Sequence, residues 1–323
     1  MRLAAGAGLI SFGLGLLGWS LYATLNPVAR YELRRLPSVA PTMAKEAEPL
    51  GVKPEALEQF EISALDEKSP VAEALVARDV AGRLTPLVWR NNVTEPIFFS
   101  DTSAADLGKV LTAIREHVGE DAVILAWWDL SRAIRLGAGR NAPLDDARAS
   151  GLQIPGSWKN TAWQEVARWG AGVDPATTEN FTPFIDALMM DETKGADALK
   201  KLAGGKVAFI AVHIADAHKL AAARPGKLSI AYKDFAAAGV SHGFIKSAQQ
   251  WLRDEKIEGG YAAEPMGSAT RLHYFTRKND GETLIARLLP FSTSLPTPLT
   301  WLSLVYQHKG WWIYRLNDAS PSH

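Results

Sequence analysis

A long apolar stretch near the N-terminus is the clearest feature of the hydrophobic pattern. Residues 3–25 contain no charged side chain, and 23 residues in a helix are enough to span about 30 Å of hydrocarbon. A tryptophan and a tyrosine lie near its far end, where aromatic rings favour the lipid–water boundary, and Pro27 stops the helix. We predict an uncleaved transmembrane anchor over residues 1–25. A cleaved signal peptide is the alternative, but only Arg2 supplies positive charge before the apolar stretch.

Residues 26–85 have a different pattern, in which proline, glutamate and lysine interrupt the apolar positions. Pro54 followed by Glu55, Ala56 and Leu57 is typical of a short helix with proline at its first position. We predict that this stretch is a tether with short helices.

Strand-like and helix-like patterns alternate over residues 86–323, which is typical of an α/β domain. The apolar runs Ala122–Trp127 and Lys206–His213 indicate buried strands. A helix is predicted over Ala104–His117, because Ser103 and Asp106 have the spacing of a capping pair. Further helices are predicted over residues 161–169, 181–190, 216–223 and 243–255, and a short strand over residues 228–232.

Two β-hairpins are predicted at the C-terminal end of this domain. The first would turn at Asn279, Asp280 and Gly281, and the second at His308, Lys309 and Gly310, each between apolar arms. The predicted fold class is therefore an N-terminal transmembrane helix followed by an α/β soluble domain with C-terminal antiparallel β-hairpins.

The charge and cysteine content narrow the possible functions. The chain has 35 Lys and Arg against 35 Asp and Glu, a net charge of 0, which argues against a nucleic-acid-binding protein. It has no cysteine, so it forms no disulfide, iron–sulfur cluster or cysteine-ligated zinc site, and it cannot attach c-type haem covalently. We predict no cofactor.

Asp129 follows a predicted strand, and Arg132 and Arg135 lie one and two helical turns further on. Asp129 is either paired with one of these arginines, so that it orients the loop, or a functional carboxylate at the carboxyl end of a strand and a weak catalytic candidate. The preceding Trp127 and Trp128 complete a WWD triplet similar to that of oligosaccharyltransferase catalytic subunits. Here Leu-Ser follows instead of Tyr-Gly, so transferase activity is not implied.

Tryptophan pairs can fill a core or present a ring to a partner. Trp127 and Trp312 are predicted to lie in the core, and one ring of each pair, at 127–128 and at 311–312, is predicted to be partly exposed. The candidate binding residues are Trp127, Trp128, Asp129, Arg132, Arg135 and Trp311.

His213, Asp216 and His218 place two imidazoles and a carboxylate within six residues after a strand. They are weak candidates for a metal site, although no fourth ligand is evident. The alternative is that Asp216 caps the helix that follows and that His218 lies in its first turn.

Gly239, Ser241 and Gly243 fit the G-x-S-x-G pattern of a hydrolase nucleophile, with Asp280 and His308 as possible triad partners. No convincing strand precedes Ser241 and no oxyanion segment lies upstream. The alternative is that Ser241 caps a helix.

The N-terminal span, AVILAWWDLSRAIRLGAGR, the segment from KVAFIAVHIADAHKL to KLSIAYKDF, and the closing LVYQHKGWWIYRL together resemble the HaoB family. This family is encoded beside hydroxylamine oxidoreductase in ammonia- and methane-oxidising bacteria. The resemblance covers most of the chain and transfers no catalytic residues.

The resemblance implies a single-pass protein of the bacterial inner membrane whose soluble domain is periplasmic. The arginines that follow the span, at 30, 34 and 35, would by themselves favour a cytoplasmic body. The implied partners are the lipid bilayer and a multihaem hydroxylamine oxidoreductase or another membrane protein. The chain would be a non-enzymatic accessory protein that anchors or assembles that enzyme.

Two other functions stay open. The chain could be a membrane-anchored enzyme, either a hydrolase through Ser241 or a metal enzyme through His213, Asp216 and His218. It could also be a ligand-sensing domain that uses the loops around Asp129 and His213.

Overall fold

The computed structural model describes much of the chain beyond residue 30. The described residues are 31–64, 69–78, 84–92, 103–144, 175–224, 226–236, 239–289, 291 and 298–317. The predicted anchor over residues 1–25 and the predicted helix over residues 161–169 lie outside them. Within the described ranges, no helix is both long and apolar enough to cross a membrane.

Three strands of the first sheet, and the start of the fourth, lie in the stretch that the sequence assigned to a tether with short helices. The four antiparallel strands lie in the order β1-β2-β3-β4. In the described part of this stretch, helical structure is confined to α1 and two 3-10 turns, so the short helix predicted after Pro54 is wrong beyond Ala56. The bounds are β1 Tyr31–Arg35, α1 Pro41–Ala47, the turns Glu48–Leu50 and Pro54–Ala56, β2 Leu57–Ala64, β3 Pro70–Arg78 and β4 Leu84–Asn91.

Burial explains why strands form here despite helix-favouring residues. Phe60 and Ile62 of β2 alternate into one face of the sheet, and Leu57 packs in a separate cluster. Most of the central strand β3 is buried, and its residues pack in both clusters. Burial on both faces outweighs a local preference for helix.

The second sheet is mixed, with the strand order β10-β11-β6-β5. The edge strand β5 (Val123–Ala126) and its neighbour β6 (Ala208–His213) are parallel, and they match the two predicted apolar runs. The antiparallel pair β10 (Leu302–His308) and β11 (Trp311–Leu316) confirms the second predicted hairpin. Since β5 and β6 are parallel, their carboxyl ends meet at one edge of the sheet.

Several helices cover this sheet. The first begins at Ala104 as predicted, where the hydroxyl of Ser103 accepts a hydrogen bond from the backbone N–H of Asp106 at 3.1 Å. Two others begin directly after β5 and β6, so the residues at the carboxyl edge of the sheet form the N-termini of these helices. The helices are α2 Ala104–His117, α3 Trp128–Ala133 with a π-helical continuation Ile134–Ala138, α4 Pro175–Met189, α5 Glu192–Leu202 and α6 Ile214–Ala223.

The third sheet is antiparallel, in the order β7-β9-β8, and α7 packs against it through Phe244, Ala248 and Leu252. The tight turn between β8 and β9 contains Gly267 at φ +66°, a conformation that favours glycine. The bounds are β7 Ile230–Phe235, α7 His242–Asp254, β8 Tyr261–Met266 and β9 Ala269–Phe275.

The hairpin predicted around Asp280 is wrong. Lys278–Glu282 form a 3-10 turn, and the arm predicted as a strand is the short helix α8, Leu284–Leu288. The carboxylate of Asp280 holds the turn, because it accepts a hydrogen bond from the N–H of Ser229 at 2.9 Å and pairs with Arg277 at 3.0 Å. The apolar residues of α8 then bury as a helix against α4 and α5.

The three sheets share their hydrophobic cores. One cluster joins Phe60 and Trp89 of the first sheet to Trp127 beside β5, Phe181 of α4 and Phe275 of β9. The described chain is therefore a mixed α/β fold with several antiparallel sheets, which confirms the predicted class for the body.

Candidate functional site

Asp129 and Asp216 meet at the carboxyl edge of β5 and β6, with Lys219 between them. The ammonium of Lys219 lies 3.0 Å from a carboxylate oxygen of each aspartate. Asp129 follows β5 and Asp216 follows β6, so the parallel register of the two strands creates this contact. Asp129 does not pair with Arg132 or Arg135, which corrects the ion pairs predicted from spacing.

Lys219, Asp129 and Asp216 form a largely buried cluster, here called the Lys219 cluster, and burial and the neighbouring charges shift the pKa values of Lys219 and Asp216. Burial alone would lower the pKa of Lys219, but the carboxylates of Asp129 and Asp216 outweigh it and raise that pKa. Burial raises the pKa of Asp216, and Asp129 adds to this effect. The Lys219 ammonium also lies 5.5 Å from the ring centroid of Trp127. The cluster thus ties two strand ends together beneath a tryptophan.

The tryptophans of the WWD triplet belong to the core. Trp127 is 1% exposed and Trp128 is 0% exposed, so neither ring presents a binding surface. Trp127 packs edge-to-face on Phe181, with 5.1 Å between the ring centroids. The guanidinium of Arg132 lies over Trp128 at 4.9 Å. The expectation of one partly exposed ring is therefore wrong for this pair.

The remaining candidate binding residues have structural contacts. Arg132 is buried and donates to the carbonyl of Leu84 at 2.6 Å, and Arg135 donates to the carbonyl of Ala142. Trp311 is half-buried, with its ring centroid 4.3 Å from that of His213. Both arginines and Trp311 thus connect elements of the fold.

His213, Asp216 and His218 do not converge on one point. A capping box holds the start of α6: Nδ1 of His213 accepts from the N–H of Ala215 at 3.1 Å, and Asp216 accepts from the N–H of His213 at 2.8 Å. Burial lowers the pKa of His213 to about 4. His218 contacts His273 instead. No group of three His, Asp or Glu in the described ranges could hold a metal ion.

Ser241 caps α7, and its hydroxyl accepts from the N–H of Phe244 at 3.1 Å. The proposed triad partners are engaged elsewhere, Asp280 with Arg277 and His308 with Asp106 at 2.8 Å. The described structure therefore assembles no Ser–His–Asp triad, and the G-x-S-x-G pattern marks a helix N-terminus.

A cleft of about 810 Å³ lies between the first and third sheets, beside the carboxyl edge of the second. Its walls come from α1, β4, the N-terminal turns of α2 and α6, and the strands β7, β8 and β9. The charged groups on its walls occur largely as ion pairs. These pairs are Arg90 with Glu46, Arg271 with Asp234, and Lys309 with Asp106.

Two imidazoles and a carboxylate form a hydrogen-bonded chain on one wall of the cleft. Nε2 of His218 lies 2.9 Å from Nδ1 of His273, and Nε2 of His273 lies 3.0 Å from a carboxylate oxygen of Glu264. Burial, reinforced by the neighbouring His273 and Arg271, holds the pKa of His218 well below its usual value. Burial opposes ionisation of Glu264, but the hydrogen bond from His273 and the charges of the neighbouring basic groups together outweigh it and lower that pKa.

Arg271 and Asp234 form a second polar pair on the same wall. The guanidinium makes two hydrogen bonds to the carboxylate, at 2.8 and 2.9 Å, and lies 4.1 Å from the ring centroid of Tyr232. These bonds raise the pKa of Arg271 and lower that of Asp234. The pair stays charged and holds β7 to β9 beside His218.

His273 and Glu264 are not among the residues predicted from the sequence. They lie on β9 and β8, and the hairpin that places them turns at Gly267 and Ser268. The Gly267-Ser268 step between two alternating runs was the signal that could have found this hairpin.

Comparison with known proteins places the chain in a family. The family model described as HaoA-associated protein HaoB matches residues 1–316. Among solved structures, the C-terminal domain of PglB from C. jejuni is similar at 10% identity and a TM-score of 0.37, over 65% of this chain and 98% of that one. A TM-score of this size does not establish a shared fold. No curated protein matches the chain. The match over nearly the whole length shows that the chain belongs to the family of HaoA-associated HaoB proteins.

Proposed function

We propose that this chain is a membrane-anchored accessory protein that anchors or assembles HaoA, the hydroxylamine oxidoreductase of nitrification. The observation that carries the proposal is the family match over residues 1–316, since the family is described by its association with HaoA. Because the match includes both the N-terminal stretch and the folded body, the association is proposed for the whole chain.

The sequence supports the two finer parts of the proposal. The uncharged residues 3–25 are long enough to anchor the chain in the bacterial inner membrane. The absence of cysteine means that the chain has no covalent c-type haem of its own, so electrons from hydroxylamine oxidation would pass through its partner. We propose that the body lies in the periplasm, as the resemblance to the family implies.

Co-purification tests the proposal. The full chain, carrying an affinity tag at its C-terminus, is isolated from detergent-solubilised membranes of a bacterium that contains both proteins. HaoA should be enriched with it, and a chain that begins at residue 27 should leave the membrane fraction. A matched control replaces Arg2, so that the charge before the span changes while the apolar stretch remains.

Deletion of the chain supplies the contrary outcome. The proposal predicts that HaoA shifts from the membrane fraction to the soluble fraction when the chain is absent. HaoA that remains equally membrane-bound would contradict the anchoring role.

A further inference from the structure

The row of hydrogen-bonded side chains formed by His218, His273 and Glu264 ends in an imidazole nitrogen that has no bond within the row. Nε2 of His218 is bonded to His273, but Nδ1 of His218 has no hydrogen-bond partner among the described residues. His218 itself lines the 810 Å³ cleft and is only half-buried. A group that enters the cleft can therefore meet an imidazole nitrogen whose bonding capacity is unused.

The positions of the protons determine whether Nδ1 of His218 donates or accepts a hydrogen bond. The ionised carboxylate of Glu264 only accepts, so Nε2 of His273 carries a proton. One proton lies between the two imidazoles, and in a neutral pair it belongs to Nε2 of His218, because His273 already has its own. Nδ1 of His218 is then unprotonated and acts as a hydrogen-bond acceptor.

The hydrogen-bonded side chains of His218, His273 and Glu264 can together take up one proton from a bound molecule. A proton transferred to Nδ1 of His218 lets the shared proton move from Nε2 of His218 to Nδ1 of His273. The positive charge then lies on His273, 3.0 Å from the carboxylate of Glu264, and the bound molecule keeps the electron pair of its broken N–H or O–H bond. This arrangement stabilises the charge away from the entering group.

The other charged groups around His218 are engaged in ion pairs, and Arg271 lowers the pKa of His218 from within its pair. On the strands packed against α6, Arg271 pairs with Asp234 beside Tyr232. On α6 itself, Lys219 and Asp216 pair with each other and with Asp129. Among these carboxylates, Glu264 is the one hydrogen-bonded to His273, the imidazole partner of His218.

We propose that the cleft is a binding site for a polar small molecule that carries an N–H or O–H group, with His218 as the proton acceptor and with His273 and Glu264 as positioning residues. The volume of the cleft is in the range of small-molecule sites in proteins. This role goes beyond association with HaoA, and it concerns a face of the body with its own chemistry.

The unmodified full chain in detergent gives the first test, by NMR of ¹⁵N-labelled imidazoles. The chain has seven histidines, and the His218 signals are identified by their loss in His218→Gln but not in the matched variant His117→Gln, which is exposed. Near neutral pH, Nε2 of His218 should be protonated and Nδ1 unprotonated. The opposite tautomer would overturn the proposal.

Diethyl pyrocarbonate gives the second test, because an unprotonated imidazole nitrogen attacks its carbonyl carbon and ethyl carbonate leaves. His218 should be modified, whereas His273, with both nitrogens bonded, should not. In Glu264→Gln the midpoint of the pH dependence at His218 should fall, because the carboxylate that stabilises a positive charge shared by the two imidazoles is gone. Glu258→Gln, at an exposed position, should leave the midpoint unchanged.

The outcomes separate a proton-accepting site from a structural contact. The proposal fails if His218 resists modification, or if Glu264→Gln leaves the midpoint of the pH dependence at His218 unchanged. In either case the two histidines only join α6 to the third sheet. If Glu264→Gln does not fold, the tautomer in the unmodified chain still decides. Neither result depends on HaoA.

Discussion

At the scale of single residues, Lys219 connects two strand ends through charge. It is 8% exposed, and the two aspartates it contacts have side chains that are 15% and 4% exposed. A buried carboxylate without a counter-charge is costly, so the three residues act as one unit. The sequence placed both aspartates at strand ends but gave no sign of the lysine, because it lies 90 residues from Asp129.

Lys219→Met should therefore lower the free energy of unfolding by about 3–5 kcal/mol, the typical effect of removing one partner from a buried ion pair. Methionine keeps much of the apolar stem, so the loss reports charge. Urea unfolding followed by tryptophan fluorescence measures it. Lys201→Met, at an exposed position of α5, should change stability by less than about 0.5 kcal/mol. Equal stability of the two variants would contradict the role of Lys219.

Asp106 connects α2 to the turn of the β10–β11 hairpin. Burial alone would raise the pKa of Asp106, but hydrogen bonds from Lys309, Ser103 and His308 outweigh it and lower that pKa well below its usual value. A carboxyl group whose pKa is depressed by folding stabilises the fold above its unfolded pKa, and this stabilisation is lost as the pH falls through the folded value.

Asp106→Asn should cost about 2 kcal/mol near neutral pH, the size of a hydrogen bond to a charged group. The difference from the wild type should persist down to about pH 4 and shrink at lower pH, as the wild-type carboxyl is protonated. Unfolding by urea across a pH series measures it. Asp121→Asn, at an exposed position, supplies the matched control. If the difference in unfolding free energy between the wild type and Asp106→Asn grew toward low pH, the predicted direction of the pH dependence would be wrong.

At the scale of elements, the hairpin β10–β11 packs its turn on the start of α6. The carbonyl of Gly310 accepts a hydrogen bond from the N–H of Ile214 at 3.0 Å. A Cβ at position 310 would lie 2.2 Å from Nε2 of His213, which is buried and packed on Trp311. The turn thus fits only because this residue has no side chain.

Gly310→Ala should destabilise the chain by about 1–3 kcal/mol, the range for inserting a methyl group into a packed site. It should also change the fluorescence of Trp311 in the folded state, since His213 must move. Gly119→Ala, where a Cβ meets nothing within 4 Å, should be nearly neutral. A neutral Gly310→Ala would show that the turn yields without disturbing α6.

The sequence predicted elements well where their signals are local. The start of α2 follows from Ser103 and Asp106, and the β10–β11 hairpin follows from a glycine turn between alternating arms. It failed where tertiary contacts decide, as at Asp280, whose bonds to Ser229 and Arg277 make a 3-10 turn. The candidate site was the hardest feature to predict from the sequence, because His218 and His273 are 55 residues apart and no local pattern pairs them.

At the scale of the whole molecule, the first sheet is part of the common core. Phe60 and Trp89 share a cluster with Trp127 and Phe181, and β4 lines the cleft beside α2. We therefore expect the body predicted to begin at residue 86 to depend on strands that precede it.

A chain that begins at residue 86 should lose cooperative unfolding, because it lacks β1, β2 and β3 and exposes the apolar surface that they cover. A chain that begins at residue 27 keeps all described elements and should unfold cooperatively. Calorimetry and limited proteolysis distinguish the two. A cooperative transition in the shorter chain would show that the first sheet is dispensable.

The cleft is assembled from segments that lie as far apart in the sequence as Glu46 and Lys309. An unfolded chain has no such surface, so any molecule that fills it binds the native state alone. Such a ligand raises the unfolding free energy by about 2.7 kcal/mol at a hundredfold excess over its dissociation constant. Thermal denaturation can therefore identify the natural occupant from metabolite fractions without an assay for its chemistry.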